Sequence, residues 1–154
     1  MTDDLSPADY AQAIDEARQR LVAFIEQCPD DVWRSAPVAG DPRPVGVIAD
    51  HVAHAYEYLA DWISDVAAGK KVALSIELVD DLNAGHASDA AGITRPQVAE
   101  HLRSSGDELI ALINGLEAPQ LDLDDGRIRR LATIAARHAD GHRAEFEGAP
   151  AAQA

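Results

Sequence analysis

The sequence has one cysteine, few aromatic residues and no apolar run of membrane-spanning length. Cys28 alone cannot form an internal disulfide, so the chain does not require an oxidising compartment. Strongly apolar stretches such as residues 109–113 are too short to cross a bilayer, and residues 1–5 are acidic, without an apolar signal core. We therefore expect a cytoplasmic protein in which Cys28 is a small apolar filler.

Basic residues are also scarce: 13 Lys and Arg stand against 27 Asp and Glu, and the net charge is −14. Such a charge repels phosphate backbones and anionic lipid, so we expect neither nucleic acid nor membrane as a partner. We expect a small-molecule substrate as the binding partner, and the composition is compatible with a homodimer.

Several familiar catalytic motifs are missing from the 154 residues. The sequence has no glycine-rich phosphate loop, no GxSxG elbow and no HExxH. The acidic groups Asp80-Asp81 and Asp122, Asp124 and Asp125 lack the glycine and terminal glutamate of an EF-hand loop, which favours solvated charge.

What is present is helix-forming sequence with amphipathic spacing. We predict one all-α domain over residues 1–148 and a frayed tail over 149–154. Its four helices should run from Ser6 to about residue 27, over about 45–68, from Thr94 to Gly115, and from about 125 or 127 to Phe146. The long connection over 70–93, in which 77–83 could form a short helix, allows the second and third helices to run parallel. The expected fold is a four-helix bundle with up-down-down-up order and a long crossover between helices 2 and 3.

Two histidines occupy the apolar stripe of the last predicted helix. At about 100° per residue, His138 and His142 each fall about 20° from the direction of Leu131 and therefore face the core. Burying two imidazoles costs a few kcal/mol unless each has a partner. Residues at i and i+4 are neighbours, so one divalent metal ion could bind both rings.

The other histidines differ in their expected position. His51 falls about 60° from Ile48 on the second helix and is the best third ligand, whereas His54, at about 120°, is an edge residue. His101 and His86 are expected to be exposed, with a smaller chance that His86 lines a pocket mouth. Asp50, Glu57 and Asp140 are each close in sequence to a ligand and could support it, but the helical faces place only Glu145 and Tyr58 near the edge of the core.

Three imidazoles leave coordination positions open, which is typical of catalytic metal sites. Imidazole binds Zn, Ni, Fe and Cu, so the ligands alone do not choose the metal. A bound water of lowered pKa would be a nucleophile or base, and a thiol would bind as thiolate. The alternative is a non-catalytic bundle that binds metal for stability or dimerises.

Two segments, Val45-Gly46-Val47-Ile48-Ala49-Asp50-His51-Val52-Ala53-His54 and His138-Ala139-Asp140-Gly141-His142-Arg143, resemble the signature regions of the DinB-like superfamily of metal-binding four-helix proteins. Trp33 before the proline- and glycine-containing loop and Asp81-Leu82-Asn83 are similar to further recurrent features of that group. The resemblance spans nearly the whole chain.

The resemblance implies an up-down-down-up bundle with a metal site at His51, His138 and His142. Relatives include mycothiol-dependent maleylpyruvate isomerase-like proteins and other transferases and isomerases that use low-molecular-weight thiols such as mycothiol or bacillithiol, together with hydrolases. Many members of the group have no assigned activity. For this chain the resemblance is consistent with a metal-dependent enzyme that has a low-molecular-weight thiol as a second cofactor, as in some members, and the divalent ion we expect from the imidazole ligands is Zn, Ni or Fe. The chain departs from the family at Arg43-Pro44, where a Trp-Ser or Trp-Thr start is common, which affects the local loop shape.

Overall fold

A computed structural model describes residues 5–153, with side chains for residues 5–148. Within this range the regular structure is entirely helical, as predicted. Six α-helices are present in the described range, with a short 3-10 helix at Ala118–Asp122 before the last: α1 Pro7–Gln27, α2 Asp30–Arg34, α3 Val45–Ala67, α4 Ile76–Asp89, α5 Arg95–Asn114 and α6 Leu123–Gln153. In this part of the chain no helix has both the length and the apolarity needed to span a bilayer.

The predicted helix starts are confirmed by their capping contacts. The Ser6 hydroxyl accepts the backbone N–H of Asp9, and the Asp9 carboxylate accepts the N–H of Ser6 in return. Thr94 and Gln97 form the same reciprocal pair at α5. Each pair satisfies backbone donors that the first turn leaves unpaired, and so fixes where the helix begins.

Four long helices enclose the core. α1 packs against α5 and α6, and α3 packs against the same two helices, whereas α1 and α3 barely touch. Full burial of each large apolar side chain contributes about 1.5–3 kcal/mol. The largest fully buried side chains are Tyr10, Ile14, Leu21, Ile25, Ile48, Tyr56, Leu59, Ile63, Leu102, Leu109, Ile113 and Phe146.

Contacts between helix ends show which termini lie together. Arg95, at the start of α5, donates to the carbonyl oxygen of Ile25 near the end of α1, at 2.8 Å. Arg127, near the start of α6, donates to the carbonyl of Val72, just after α3, at 3.0 Å. His138, far along α6, lies beside His51 near the start of α3. The start of α5 therefore lies beside the end of α1, and the start of α3 lies beside the late part of α6.

The loop before α3 is fixed by a close contact between the indole of Trp33 and the backbone of Gly46. A Cβ atom on Gly46 would lie 2.7 Å from Cζ2 of Trp33, so only glycine lets the first turn of α3 approach the indole this closely. The guanidinium carbon of Arg95 lies over the same indole, 5.2 Å from the ring centre. The sequence analysis placed Trp33 before this loop but did not predict the short helix α2.

The long connection is more helical than expected. A short helix was considered over 77–83, and the structure shows α4 over Ile76–Asp89. α4 packs mainly on α3, its only buried residue is His86, and Ile76 is 80% exposed. α4 is therefore a surface helix attached to the bundle by a polar contact.

The last helix begins irregularly. Asp124, Asp125 and Gly126 have positive φ values of 51°, 57° and 77°, so regular helical geometry starts after them, close to the predicted start. Fraying of residues 149–154 stays a prediction, because Ala154 and the side chains of 149–154 lie outside the described part of the chain.

Candidate metal centre

Three imidazoles converge at one end of the bundle. Nε2 of His138 lies 3.2 Å from Nε2 of His51 and 3.1 Å from Nε2 of His142. One ligand atom from each ring lies within 4.8 Å of the others. His51 is buried and the other two are half-buried, so the cluster has a sheltered side and a side near the surface.

These separations fit a shared metal ion. For metal–nitrogen distances of about 2.0–2.1 Å, two ligand nitrogens lie about 3.3 Å apart on a tetrahedral ion. On an octahedral ion, adjacent ligand nitrogens lie about 2.9 Å apart at the same bond length. The observed distances lie between these two values, so the donor set accepts a divalent metal without choosing its geometry.

Glu145 sets the protonation pattern of one ring. Its Oε1 lies 2.5 Å from Nδ1 of His142, so Nδ1–H donates to the carboxylate and Nε2 keeps its lone pair for a ligand. This confirms the expectation that Glu145 lies near the ligands. In contrast, Nδ1 of His51 and Nδ1 of His138 are buried and have no hydrogen-bond partner within the described part of the chain.

The cluster favours neutral imidazoles. Burial, together with the neighbouring His138, His142 and Arg43, lowers the pKa of His51 to about 2. Burial, His142 and Arg43 lower the pKa of His138 to about 3. Metal binding needs deprotonated ligands, so both rings offer lone pairs at neutral pH.

A second histidine cluster surrounds Asp50. Oδ2 of Asp50 accepts from Nε2 of His86 at 2.7 Å, and Oδ1 accepts from Nδ1 of His101, also at 2.7 Å. Nε2 of His101 reaches Oε1 of Glu57 at 2.8 Å. The expectation that His86 and His101 are exposed was wrong: His86 is 7% exposed and the His101 side chain 30%.

This Asp50 cluster is charged. Burial alone would raise the pKa of Asp50, but the bonds from His101 and His86 outweigh it and lower the pKa to about 2. The bonds to Asp50 and Glu57 raise the pKa of His101 to about 9 against the effect of burial. A carboxylate and an imidazolium therefore face each other at neutral pH.

Sequence reasoning named Asp50 as close to a ligand but did not place it near the core, although a signal for its burial was present. The first nine residues of α3, Val45–Ala53, are all buried, and Asp50 and His51 are the only polar side chains among them. A charged residue inside such a run must have a partner.

Two cavities border the clusters. One, of about 490 Å³, is lined by both α6 ligands together with Thr133, Ile134, Arg137, Gly141 and Glu145. The other, of about 430 Å³, lies against Asp50, His86 and His101 and is closed on one side by α4. His54, the predicted edge residue, lines this second cavity and stacks on His86 with ring centres 5.0 Å apart.

Comparison with known families decides the relationship. A family model described as the DinB superfamily matches residues 13–146. This chain belongs to the DinB superfamily. The match includes His51, His138 and His142, and thus every member of the cluster that geometry singles out in this DinB protein. Neither the curated proteins nor the solved structures gave a match.

Proposed function

We propose that this DinB superfamily protein is a metal-dependent enzyme whose divalent ion is bound by His51, His138 and His142. The observation that carries the proposal is the approach of the three Nε2 atoms, with separations of 3.1 and 3.2 Å through His138. Neutral imidazoles in this arrangement are good ligands for Zn, Ni and Fe.

The proposed scaffold is an up-down-down-up four-helix bundle. Three contacts support this order. Arg95, at the start of α5, donates to a carbonyl near the end of α1, and Arg127, near the start of α6, donates to a carbonyl just after α3. His101, near the start of α5, pairs with Asp50, near the start of α3. These contacts favour antiparallel α1 and α5, antiparallel α3 and α6, and parallel α3 and α5. The crossover between α3 and α5 then includes α4.

The proposed chemistry is delivery of water or a low-molecular-weight thiol to an electrophilic small molecule. A divalent metal, when bound, supplies a Lewis acid that lowers the pKa of a coordinated water or thiol. His51 and His138 remain neutral through burial, and Glu145 orients His142. The 490 Å³ cavity beside His138 and His142 gives a small substrate room to approach, which favours an enzyme over a purely structural metal site.

Metal content tests the site. Untagged protein should contain a tightly bound divalent ion, and His142→Ala should lose most of it. His54→Ala is the matched control, because His54 is an α3 histidine outside the cluster. If wild type and His142→Ala are equally metal-free even after addition of Zn or Ni, the proposal is wrong.

Turnover then separates an enzyme from a binding module. Metal-loaded protein is screened against pairs of a low-molecular-weight thiol and an electrophile, and against ester and amide substrates. Turnover that disappears in His142→Ala supports an enzyme. A marked fall in melting temperature on chelation, with no turnover in any assay, favours the structural alternative.

A further inference from the structure

The side chains around the 490 Å³ cavity restrict what can bind beside the metal centre. This cavity follows α6, and two of the three proposed ligands, His138 and His142, line it. The other lining residues are Thr133, Ile134, Arg137, Gly141 and Glu145. A small molecule that approaches an ion on the two histidines from this side therefore contacts these residues.

Most polar groups of the cavity already have a partner. The hydroxyl of Thr133 donates to the carbonyl of Arg129 at 2.8 Å, one turn back along the helix. Glu145 accepts from Nδ1 of His142. Arg137 is the exception, because its exposed guanidinium has no hydrogen bond or ion pair in the part of the chain that the structure describes. Its N–H donors are therefore free to bind a ligand.

This free guanidinium contrasts with the other arginines of the chain. Most of them form an ion pair with a carboxylate, as expected where 27 acidic residues stand against 13 basic ones. Arg137 is also the only arginine or lysine that lines the cavity. A guanidinium stays charged at neutral pH and binds an anionic oxygen group through two parallel hydrogen bonds. Arg137 thus makes this cavity selective for anions in a chain of net charge −14.

Beside Arg137 the cavity offers an apolar surface. Ile134, three residues earlier and therefore next to Arg137 on the helix face, is 52% exposed. A Cβ atom on Gly141 would meet no side chain within 4 Å beyond those of its chain neighbours, so the space above this position is open. A ligand can therefore place a hydrocarbon part on Ile134 while its charged end reaches Arg137.

We propose that the substrate of this metal centre is a small organic anion, whose carboxylate or phosphate-type group binds Arg137 and whose apolar part packs on Ile134. This inference deepens the proposed function and rests on it. α6 rises about 7.5 Å from Arg137 to His142, so a small molecule bound at Arg137 by one end presents its other end to the ion. Arg137 is then the residue that selects the substrate by charge.

Titration of ¹⁵N-labelled protein tests the inference. Hexanoate, or its uncharged isostere hexanamide, is added to metal-free and to zinc-loaded protein, and the backbone amide resonances are followed by NMR. Hexanoate should shift the resonances of residues 133–145 saturably. Hexanamide should bind at least about tenfold more weakly, the size expected for loss of a hydrogen bond between charged groups. The metal-free sample excludes binding of the carboxylate to zinc as the cause.

Three variants complete the design. Arg137→Gln should bind hexanoate about tenfold more weakly and hexanamide as wild type does, and Arg137→Lys should recover part of the loss. Arg130→Gln removes another exposed arginine of α6 outside the cavity and should change neither affinity. Gly141→Leu should weaken both ligands, because the new side chain fills the open space, while leucine favours the helix more than glycine does.

The outcomes separate the two proposals. Normal zinc loading with no saturable shift over residues 133–145, or with equal hexanoate affinity in wild type and Arg137→Gln, refutes the anion site and leaves the metal site intact. Failure of wild type to bind zinc refutes the metal site, and with it the anion as substrate, even where hexanoate binds at Arg137.

Discussion

Two histidine clusters lie side by side in this protein, and their imidazoles contact different partners. In the first, His51, His138 and His142 point their Nε2 atoms at each other. In the second, His86 and His101 point at the carboxylate of Asp50. The clusters are in contact, since Asp50 and His51 are consecutive and the rings of His51 and His86 lie 6.1 Å apart.

The difference shows how partners determine what a buried histidine does. Without a carboxylate within reach, His51 and His138 have lowered pKa values and offer lone pairs, so their cluster can accept a cation. With Asp50 and Glu57 within reach, His101 has a raised pKa and is itself the cation. The first cluster offers lone pairs to a ligand from outside, whereas the second pairs the charges of Asp50 and His101 within the protein.

The largest expected effect comes from replacing Asp50, the residue at the centre of the second cluster. Asp50→Ala leaves His86 buried without its acceptor and should lower the free energy of unfolding by about 3–5 kcal/mol, measured by urea denaturation. Asp50→Asn retains the shape and one acceptor and should cost less. A loss below about 1 kcal/mol for Asp50→Ala would mean that the cluster contributes little to stability.

Glu145 is the one carboxylate that supports the first cluster. Glu145→Gln should lower metal affinity about 10–100-fold, because His142 loses the acceptor that fixes its Nδ1–H. Competition with a chromophoric chelator measures this. Glu147→Gln, which only loses a surface pair with Arg143, is the control and should bind metal as wild type does. Equal affinity of Glu145→Gln and wild type would show that Glu145 does not support the site.

The pH dependence of stability should separate the two clusters in metal-free protein. His101 has a folded pKa of about 9 against 6.5 unfolded, so its contribution is complete below pH 6.5 and is lost as pH rises through 9. We expect a loss of about 2 kcal/mol over that interval. His51 and His138 have the opposite effect, because their pKa values are lower in the folded state than in the unfolded chain. As the pH falls below 6.5 the unfolded chain binds protons at these rings and the folded state does not, so stability decreases.

Replacing one histidine isolates the alkaline part of that profile. His101→Gln should flatten the decrease between pH 6.5 and 9 and leave unchanged the decrease from pH 6.5 to about 5, which His51 and His138 cause. Unfolding by urea at a series of pH values gives both slopes. An unchanged alkaline slope in His101→Gln would assign that decrease to other groups.

The smallest effect concerns α4. His86→Ala removes the only buried side chain of this helix, so hydrogen exchange over residues 76–89 should become about tenfold faster. His54→Ala, which removes only the ring stacked on His86, should change the exchange much less. Protection equal to wild type in His86→Ala would show that other contacts attach α4.

Local patterns were enough to predict much of this structure. Ser6 and Thr94 marked helix starts, Gly115 marked the end of α5, and the i, i+4 spacing of His138 and His142 indicated that both face the core. The family match supports the membership that the histidine segments suggested. These features depend on residues close together in sequence, which a single chain displays directly.

The Asp50 cluster could not be predicted in this way. The angular argument assumes that a helix has one buried side, yet the first two turns of α3 are buried all round. Asp50 is paired by His86, from a connection 36 residues away, and by His101 on another helix 51 residues away. Such partners depend on how the connection folds back, which no helical periodicity records.

The helix α4, which lies between α3 and α5 in the sequence, tolerates substitution more readily than the four helices of the core. Because α4 contributes a single buried side chain, the segment that lines one side of the 430 Å³ cavity adds little to the hydrophobic core. Its outward residues can therefore be exchanged over generations at little thermodynamic penalty, provided that His86 is retained. The lining of that cavity can therefore diverge in shape and polarity while the residues around His51, His138 and His142 stay constant.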